Sequence, residues 1–412
     1  MSTPPAKPLD GVTVVEVAIW GFVPSAGALL AEWGADVIKV EHARTGDPQR
    51  GLSRMGDFVM GDPNPAWVHP NHGKRSIGID IAHPDARALL GDLVHEADVF
   101  LTSFLPEARR KLKIDVDDIR ADNPNIVYAR GSALGVRGDE REMGGYDMTA
   151  FWARASTAAS ITPRDLDGMI GPPGPAYGDT ISGSNLAGGI AAALFKRART
   201  GEGSVVDVSL LSSGVWAMGM SIDASILQDK AWVGQAAGVY VAPHNPLTGT
   251  FRTADKRLLT LVMLQPGRYW ADVCRHIDRP ELADDPRFAT QEDLVANGAA
   301  AVEILREVFA SRTLDEWRER LRTMEGPWAP VQDTVQVTSD HQVRANGMIG
   351  PVVDDDGKPV GYDIVSGPVQ FDEVPSVLRR APEFAEHTEL LLMERGIAWE
   401  RIESLKASGA IT

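Results

Sequence analysis

Short apolar runs alternate with helical stretches from the beginning of the chain. Gly11–Glu16 is a β-branched run that predicts a strand, the apolar stretch Ala26–Trp33 predicts a helix that Gly34 ends, and Ala35–Glu41 predicts a second strand. A strand, a helix and a strand within about thirty residues form the βαβ unit of a parallel sheet. The opening domain is therefore predicted to be α/β.

The same alternation continues downstream. Four further strands are predicted at Ser76–Ile81, Asp98–Thr102, Ile126–Arg130 and Ser204–Ser209. Two long helices are predicted at Pro84–Glu96 and Thr180–Arg199. The second helix ends in basic residues followed by Gly201, as expected at the negative end of a helix. This repetition favours a doubly wound, Rossmann-like sheet.

The character of the sequence changes after about residue 226. Gly/Pro-rich loops precede a strand at Leu258–Val262, and a capping box at Thr313–Glu316 begins a helix. Gly326–Pro330 has the composition of a linker. These features predict a second, smaller α+β domain.

Composition and charge exclude several classes of function. The chain has 412 residues, of which 43% are hydrophobic and 24% charged, as in a globular protein of two or three domains. No stretch has the roughly 18 to 20 apolar residues of a membrane span, and the first residues lack a signal-peptide pattern. A net charge of −16 argues against nucleic-acid partners. We therefore expect a cytoplasmic protein that binds neither membranes nor nucleic acids.

The first βαβ unit imitates a dinucleotide-binding fold, but its turn does not fit that function. Bulky Phe22 and Val23 stand where the Gly-x-Gly fingerprint would let the backbone approach a pyrophosphate. No tightly bound nicotinamide or flavin is expected.

A metal site is not expected either. His69 and His72 flank Pro70, which prevents a helical pairing of the two histidines, and no nearby carboxylate completes a ligand set. The single cysteine, Cys274, has the pattern of a buried helix face, which leaves neither a disulfide nor a thiolate site.

A series of short motifs extends along nearly the whole chain. They are Pro8–Glu16, Leu30–Glu41, Thr45–Pro48, Asn71–Ile77, Asn123–Tyr128, Gly178–Gly183, Arg199–Val208, Trp328–Val331 and Ala381–Thr388. Each is weak alone, but their order and spacing resemble the class III coenzyme A transferases, the carnitine/bile-acid type. Formyl-CoA transferase and the α-methylacyl-CoA racemases are related to this family.

The resemblance implies an architecture and a reaction. A large Rossmann-like domain would be built from residues 1–225 and from a returning segment, 336–412, with the smaller domain at 226–335 between them. Two such chains would interlock as a homodimer. CoA would pass from an acyl-CoA donor to a carboxylic acid acceptor, with CoA as a substrate and without a tightly bound cofactor.

By the same resemblance, Asp179 in the motif Gly178–Gly183 matches the nucleophile. Its carboxylate would attack the thioester to give a mixed anhydride, and the CoA thiolate would convert that anhydride to an aspartyl-CoA thioester. The residues alone allow a plainer interpretation, in which Asp179 caps the following helix. The two interpretations are compatible.

CoA requires cations for its phosphates and an aromatic or apolar face for its adenine. The position of Arg44 beyond a strand makes it a candidate phosphate contact. Similarity to the family's CoA-contact segments and the bulky turn after the first strand add further candidates. The full set of candidate CoA-binding residues is Trp20, Arg44, Asn71, Lys74, Arg75, Ser103, Phe104, Lys111 and Tyr146.

Two alternatives use the same scaffold. An α-methylacyl-CoA racemase needs a second acid/base group, a histidine in a Gly-His-Asp motif, but this chain has Tyr146 there and no histidine between His95 and His244. Tyr146 is a poor base but a good hydrogen-bond donor. The other alternative is a catalytically inactive CoA-binding protein. Gly234–Gly238 is a weak match to the family's glycine lid.

Overall fold

We describe the protein from a computed structural model that covers residues 6–233, 241–242 and 244–412. The segment compared with a glycine lid, Gly234–Gly238, lies outside these described residues. The chain divides into two compact units. The first unit comprises Met1–Ser160, Ile170–Trp232 and His341–Thr412, and the second comprises Ile161–Met169 and Val233–Asp340. The sequence-derived divisions at residues 226 and 336 lie a few residues earlier, and they leave 161–169 in the large domain.

Six parallel strands form the central sheet of the first unit. They are β1 (Thr13–Val17), β2 (Asp36–Glu41), β3 (Arg75–Gly78), β4 (Val99–Thr102), β5 (Val127–Ser132) and β6 (Val205–Ser209). Their spatial order is β3-β2-β1-β4-β5-β6. This is the strand order of a doubly wound dinucleotide-binding fold, so the sequence correctly predicted a Rossmann-like parallel sheet.

Helices cover both faces of this sheet, as parallel strands require. The helices in this part of the chain are α1 (Phe22–Glu32), α2 (Pro65–Asn71), α3 (Pro84–His95), α4 (Pro106–Leu112), α5 (Val116–Asp122), α6 (Thr157–Ile161), α7 (Tyr177–Thr200), α8 (Leu210–Ala217) and α9 (Gly219–Gln228). Shorter elements are a 3₁₀ turn at Pro48–Gly51, a hairpin of Arg54–Met55 with Phe58–Val59, and a π-helix at Met148–Arg154.

Alternate residues of β1 divide the apolar core between the two faces. Val14 packs with residues of α1 and α7, such as Leu30 and Leu186, whereas Val15 packs with residues of α3 and the C-terminal helices, such as Leu90. α1 begins at Phe22, four residues before the predicted start, because Pro24 lies in the first turn, where its missing N–H has no intrahelical partner to lose.

The second unit holds a three-stranded antiparallel sheet of β7 (Thr248–Arg252), β8 (Leu258–Val262) and β9 (Trp328–Pro330). Its helices are α10 (Pro266–His276), α11 (Gln291–Ala296), α12 (Gly298–Phe309), α13 (Leu314–Arg320) and α14 (Thr334–Thr338), with 3₁₀ turns at Pro280–Ala283 and Leu321–Thr323. Its core includes Cys274, which is buried and unbridged.

The C-terminal segment belongs to the first unit and packs against β3. It contains α15 (His341–Ala345), β10 (Ile349–Val353), β11 (Pro359–Val365), β12 (Leu378–Arg379), α16 (Thr388–Glu394) and α17 (Trp399–Ser408). The backbone N–H of His387 donates to the carbonyl of Ser76 at 2.8 Å, and that of Ala385 donates to Ser76 Oγ at 3.0 Å. The two ends of the chain therefore complete one core.

Within the described residues, no single helix combines the length and apolar composition of a membrane span. α8 and α9 meet that test only as a pair, and the pair is bent by 70°.

Candidate active site

The winding direction of the central sheet changes between β1 and β4. Ligands of doubly wound sheets bind outside the carboxyl ends of the strands at such a switch point. There the backbone N–H of Ile19, just after β1, donates to Ser103 Oγ, just after β4, at 3.0 Å. The loops that follow these two strands are thus held together at the expected position of a site.

Asp179 lies in the first turn of α7 and faces the loop after β1. It is not the helix N-cap, because α7 begins at Tyr177 and its capping position is Ala176, which has a left-handed φ of 55° and no side-chain cap. The interpretation of Asp179 as a capping residue is therefore wrong. The free N–H of Gly178 is satisfied instead by Asp147 Oδ2, at 2.9 Å.

Three glycines allow this approach. A β-carbon on Gly21 would lie 2.7 Å from Asp179 Oδ2, and one on Gly178 would lie 2.4 Å from both Asp147 Oδ1 and the Phe151 ring. On Gly183 it would lie 2.7 Å from the β-carbon of Ser25 in α1. The two glycines of the Gly178–Gly183 motif thus let α7 approach both the π-helix and α1.

The environment of Asp179 disfavours its charge. Burial, and secondarily the Asp147 carboxylate, raise the pKa of Asp179 to about 7. Burial also raises the pKa of Asp147. The hydrogen bonds that its carboxylate accepts from the backbone of Gly178 and Asp179 lower this pKa, but by less than burial raises it. Among the described residues the Asp179 carboxylate has no hydrogen-bond donor. An ionised Asp179 is therefore poorly stabilised and suited to react as a nucleophile.

Trp20 and Tyr146 form an aromatic pair beside the Gly21 loop. Their rings meet edge to face, with centroids 6.0 Å apart. Trp20 has a positive φ of 68°, and its N–H donates to Asp47 Oδ1 at 3.3 Å. Tyr146 is 62% exposed, so its ring is available to a ligand.

A buried ionic network lies beneath this loop. Lys39 Nζ lies 3.1 Å from Glu16 Oε1 and 2.9 Å from Asp47 Oδ2, and Lys74 Nζ lies 2.7 Å from Glu16 Oε2. All four side chains are fully buried. The Lys74 ammonium also donates to Asn71 Oδ1 at 3.0 Å. In this conformation neither Lys74 nor Asn71, both predicted CoA contacts, is free to bind a ligand.

Sequence reasoning missed Glu16, Lys39 and Asp47 as parts of this network. The available signal was the presence of charged residues inside or just after β1 and β2, where buried strands are otherwise apolar. Lys39 also donates to the carbonyl of Ala18 at 2.9 Å. Together with the Asp47 bond to Trp20, this contact fixes the loop after β1.

The remaining predicted CoA contacts separate into two groups. Arg44 and Lys111 are exposed, the first beyond β2 and the second in α4 after β4, so both belong to the carboxyl side of the sheet. Phe104 follows β4 and lines a cavity of about 180 Å³ with several arginines, among them Arg110. Arg75 is different, because it opens β3 and pairs with Asp36, the first residue of β2. Arg75 therefore lies at the opposite edge of the sheet, away from Asp179.

A larger cavity, of about 450 Å³, lies near Asp179, whose neighbours Tyr177 and Thr180 line it although Asp179 itself does not. It is lined by Gly21, Tyr177 and Thr180 on one side and by α2 and the hairpin on the other. Apolar and proline side chains dominate the lining; they include Met55, Met60, Pro65, Ala66, Pro173 and Pro175. A small organic group could therefore lie next to the Asp179 carboxylate.

His69 also lines this cavity. Burial, and secondarily the neighbouring His72, lower the pKa of His69 to about 4, so its ring is neutral near pH 7. His72 is bound to Glu32 Oε1 at 2.7 Å. Over the residues that the structure describes, no group of three or more His, Cys, Asp or Glu side chains could hold a metal ion.

Comparison with known proteins gives a consistent result. Residues 9–388 match the family described as CoA-transferase family III. The chain is 29% identical to (R)-2-hydroxy-4-methylpentanoate CoA-transferase of Clostridioides difficile, over 98% of this chain and 99% of that protein. It is 29% identical to succinyl-CoA:glutarate CoA-transferase of Homo sapiens, over 94% of this chain and 86% of that protein.

A solved structure agrees with these relatives. The crystal structure of a CAIB/BAIF family protein from Brucella suis matches this chain with a TM-score of 0.78 and 27% identity, over 95% of this chain and 100% of that one.

Proposed function

Because the chain belongs to CoA-transferase family III, we propose that it moves CoA from an acyl-CoA to a carboxylic acid with Asp179 as the nucleophile. One observation carries the assignment of Asp179. Its carboxylate is partly buried at the switch point of the sheet, lacks a hydrogen-bond donor among the described residues, and has a pKa raised to about 7. A carboxylate in this state gains by becoming an uncharged acyl derivative.

The cycle conserves the thioester. An Asp179 oxygen attacks the acyl carbon, the C–S bond breaks, and CoA leaves as a thiolate. The thiolate attacks the aspartyl carbonyl of the resulting anhydride, releases the donor carboxylate and forms an aspartyl-CoA thioester. The acceptor carboxylate attacks that thioester and expels the thiolate again. The thiolate then attacks the acceptor's acyl carbon in the new anhydride, which forms the new acyl-CoA and releases the Asp179 carboxylate.

The beginning of α7 supports these steps. Each attack creates an oxyanion, and the positive end of a helix favours negative charge in its first turn. Asp147 holds the Gly178 N–H, so the backbone beside Asp179 is fixed before substrate binds. The exposed hydroxyl of Tyr146 can donate a hydrogen bond to a carbonyl or carboxylate of the substrate.

We propose that CoA lies along the carboxyl edge of the sheet, with Arg44 and Lys111 at its phosphates and Trp20, Ser103, Phe104 and Tyr146 nearer the thioester. Arg44 and Lys111 are exposed, and neither forms an ion pair within the described residues, so both can reach a phosphate. Asn71 and Lys74 then act by supporting the loop after β1, through Glu16 and the main chain. Arg75 is not included, because its guanidinium pairs with Asp36 and Glu394.

The names of the relatives do not fix the acids that this chain uses. One is named for a branched apolar hydroxy acid and the other for two dicarboxylates. The test is therefore a panel of acyl-CoAs and acids, with new acyl-CoA measured by chromatography. We expect Asp179→Ala to lose at least about a thousandfold in rate, while Asp139→Ala, at an exposed aspartate, keeps full activity. An Asp179→Ala enzyme within tenfold of wild type would contradict the proposal.

A racemase would behave differently in the same assay. It would exchange the α-proton of a 2-methylacyl-CoA in deuterated water without any acceptor acid. We expect no exchange, because Tyr146 stands where the second base would be and pairs with Trp20.

A further inference from the structure

The composition of the cavity beside Asp179 restricts what it can hold. Of its lining residues in the described chain, none is Lys, Arg, Asp or Glu. Its polar side chains are Ser25, Gln49, His69, Tyr177 and Thr180. A charged group placed in this cavity would therefore lose its water without gaining a counter-ion.

Most of the polar groups in the lining are already occupied. Ser25 Oγ donates to the carbonyl of Gly21 at 2.6 Å, and Gln49 Nε2 donates to the carbonyl of Ala66 at 2.6 Å. Thr180 Oγ1 donates to the carbonyl of Ala176 at 3.2 Å. The His69 ring, which lies against the ring of His72, and the Tyr177 hydroxyl have no hydrogen bond among the described residues; the His69 ring is uncharged near pH 7.

Two cations close to the lining residues are engaged elsewhere. Arg50 follows Gln49 in the same 3₁₀ turn, but its guanidinium donates to both oxygens of Glu41, at 2.8 and 2.7 Å, and stacks on Trp67. Lys74 is fully buried against Glu16. Neither side chain can serve a carboxylate in the cavity without breaking a buried ion pair.

We propose that this cavity selects an apolar monocarboxylic acyl group and rejects a dicarboxylic one. The inference rests on the proposed function, in that the acyl group must lie next to Asp179 to be attacked. The apolar lining gains by burying hydrocarbon, whereas a second carboxylate would be desolvated beside a neutral histidine and prolines.

The test measures binding apart from turnover. On the Asp179→Ala variant, which also removes any repulsion from that carboxylate, the Kd of 4-methylpentanoyl-CoA and of 3-phenylpropanoyl-CoA is compared with the Kd of glutaryl-CoA by calorimetry. The CoA part is common to all three, so the ratio reports the cavity. We expect both apolar thioesters to bind at least about tenfold more tightly than glutaryl-CoA.

A cation placed in the cavity should reverse this preference. In the same background, His69→Arg and, at the rim, Met60→Arg should each change the ratio by at least about tenfold in favour of glutaryl-CoA. His95→Arg, the same replacement on α3 outside the cavity, should leave the ratio unchanged. The two arginine positions guard against a variant that fails to fold.

The outcomes separate the two proposals. Equal or tighter binding of glutaryl-CoA by Asp179→Ala overturns the selectivity of the cavity and leaves the transferase assignment standing. The predicted ratio in a protein that transfers no CoA with any donor sinks the transferase mechanism and leaves the cavity assignment standing.

Discussion

The environment that makes the Asp179 carboxylate reactive also destabilises the folded protein at neutral pH. Burial raises its pKa from 3.8 to about 7, so the folded protein binds a proton there more tightly than the unfolded chain does. The associated stability is fully present below about pH 4 and is lost as the pH rises through about 7. At neutral pH the fold thus carries an ionised group that it disfavours, as reactive sites often do.

Removing that charge should therefore stabilise the protein in a pH-dependent way. Relative to wild type, we expect Asp179→Asn to raise the free energy of unfolding at pH 8 by up to about 4 kcal/mol, and by little at pH 4. Urea denaturation at several pH values measures the difference. Asp139→Asn, at an exposed aspartate, should show no such trend; a pH-independent effect at Asp179 would contradict a raised pKa.

At the scale of elements, the site depends on how closely α7 can approach α1. Gly183 makes the approach possible, because a β-carbon there would meet both Ser25 Cβ, at 2.7 Å, and the Phe22 carbonyl, at 2.9 Å. α1 follows directly from the loop that faces Asp179, so a displacement of α7 separates the nucleophile from that loop.

A pair of glycine substitutions on α7 tests this packing. Gly183→Ala should destabilise the protein by about 1–3 kcal/mol and lower kcat for CoA transfer, since one helix must move. Gly188→Ala should instead stabilise it by up to about 1 kcal/mol, because nothing lies within 4 Å of the added carbon. Thermal melts and steady-state rates distinguish the two; equal behaviour would show that the close approach is unimportant.

The sequence predicted elements better than the contacts between them. β-branched runs identified the buried strands because their hydrophobic pattern is local. Asp179 was found through its motif, but Asp147, which accepts from the N–H of the adjacent Gly178, lies 31 residues before that glycine, and this contact has no local signal. Lys74 was predicted as a CoA contact from the family's contact segments, and nothing in its local sequence indicates that Glu16, 58 residues earlier, pairs with it in the interior.

At the scale of the whole molecule, α8 and α9 leave an apolar surface uncovered. None of the residues of α9 is buried, and Met220, Ile226 and Leu227 are 90%, 72% and 84% exposed. Trp216 of α8 is 81% exposed. Exposed apolar surface of this extent marks a protein interface, and we propose that a second copy of the chain covers it, in line with the homodimer that the family resemblance implies. The expected cytoplasmic location stays a prediction.

A charge on this surface should disrupt assembly. We expect wild type to sediment as a dimer of the 44.4 kDa chain, and Leu227→Asp to sediment as a monomer or aggregate with reduced transfer activity. Gln228→Asp adds the same charge at the next residue of α9, which is polar, and should remain dimeric. Sedimentation of wild type as a monomer at micromolar concentration would contradict the proposed homodimer.

The most direct test of Asp179 as the nucleophile is the mass of the intact protein after incubation with acyl-CoA donors and hydroxylamine, which traps acyl and thioester derivatives of a carboxylate. We predict a hydroxylamine-dependent mass increase in wild type that maps to the peptide containing Asp179 and is absent in Asp179→Ala. If no donor produces an adduct, or if the adduct persists in Asp179→Ala, Asp179 is not the nucleophile.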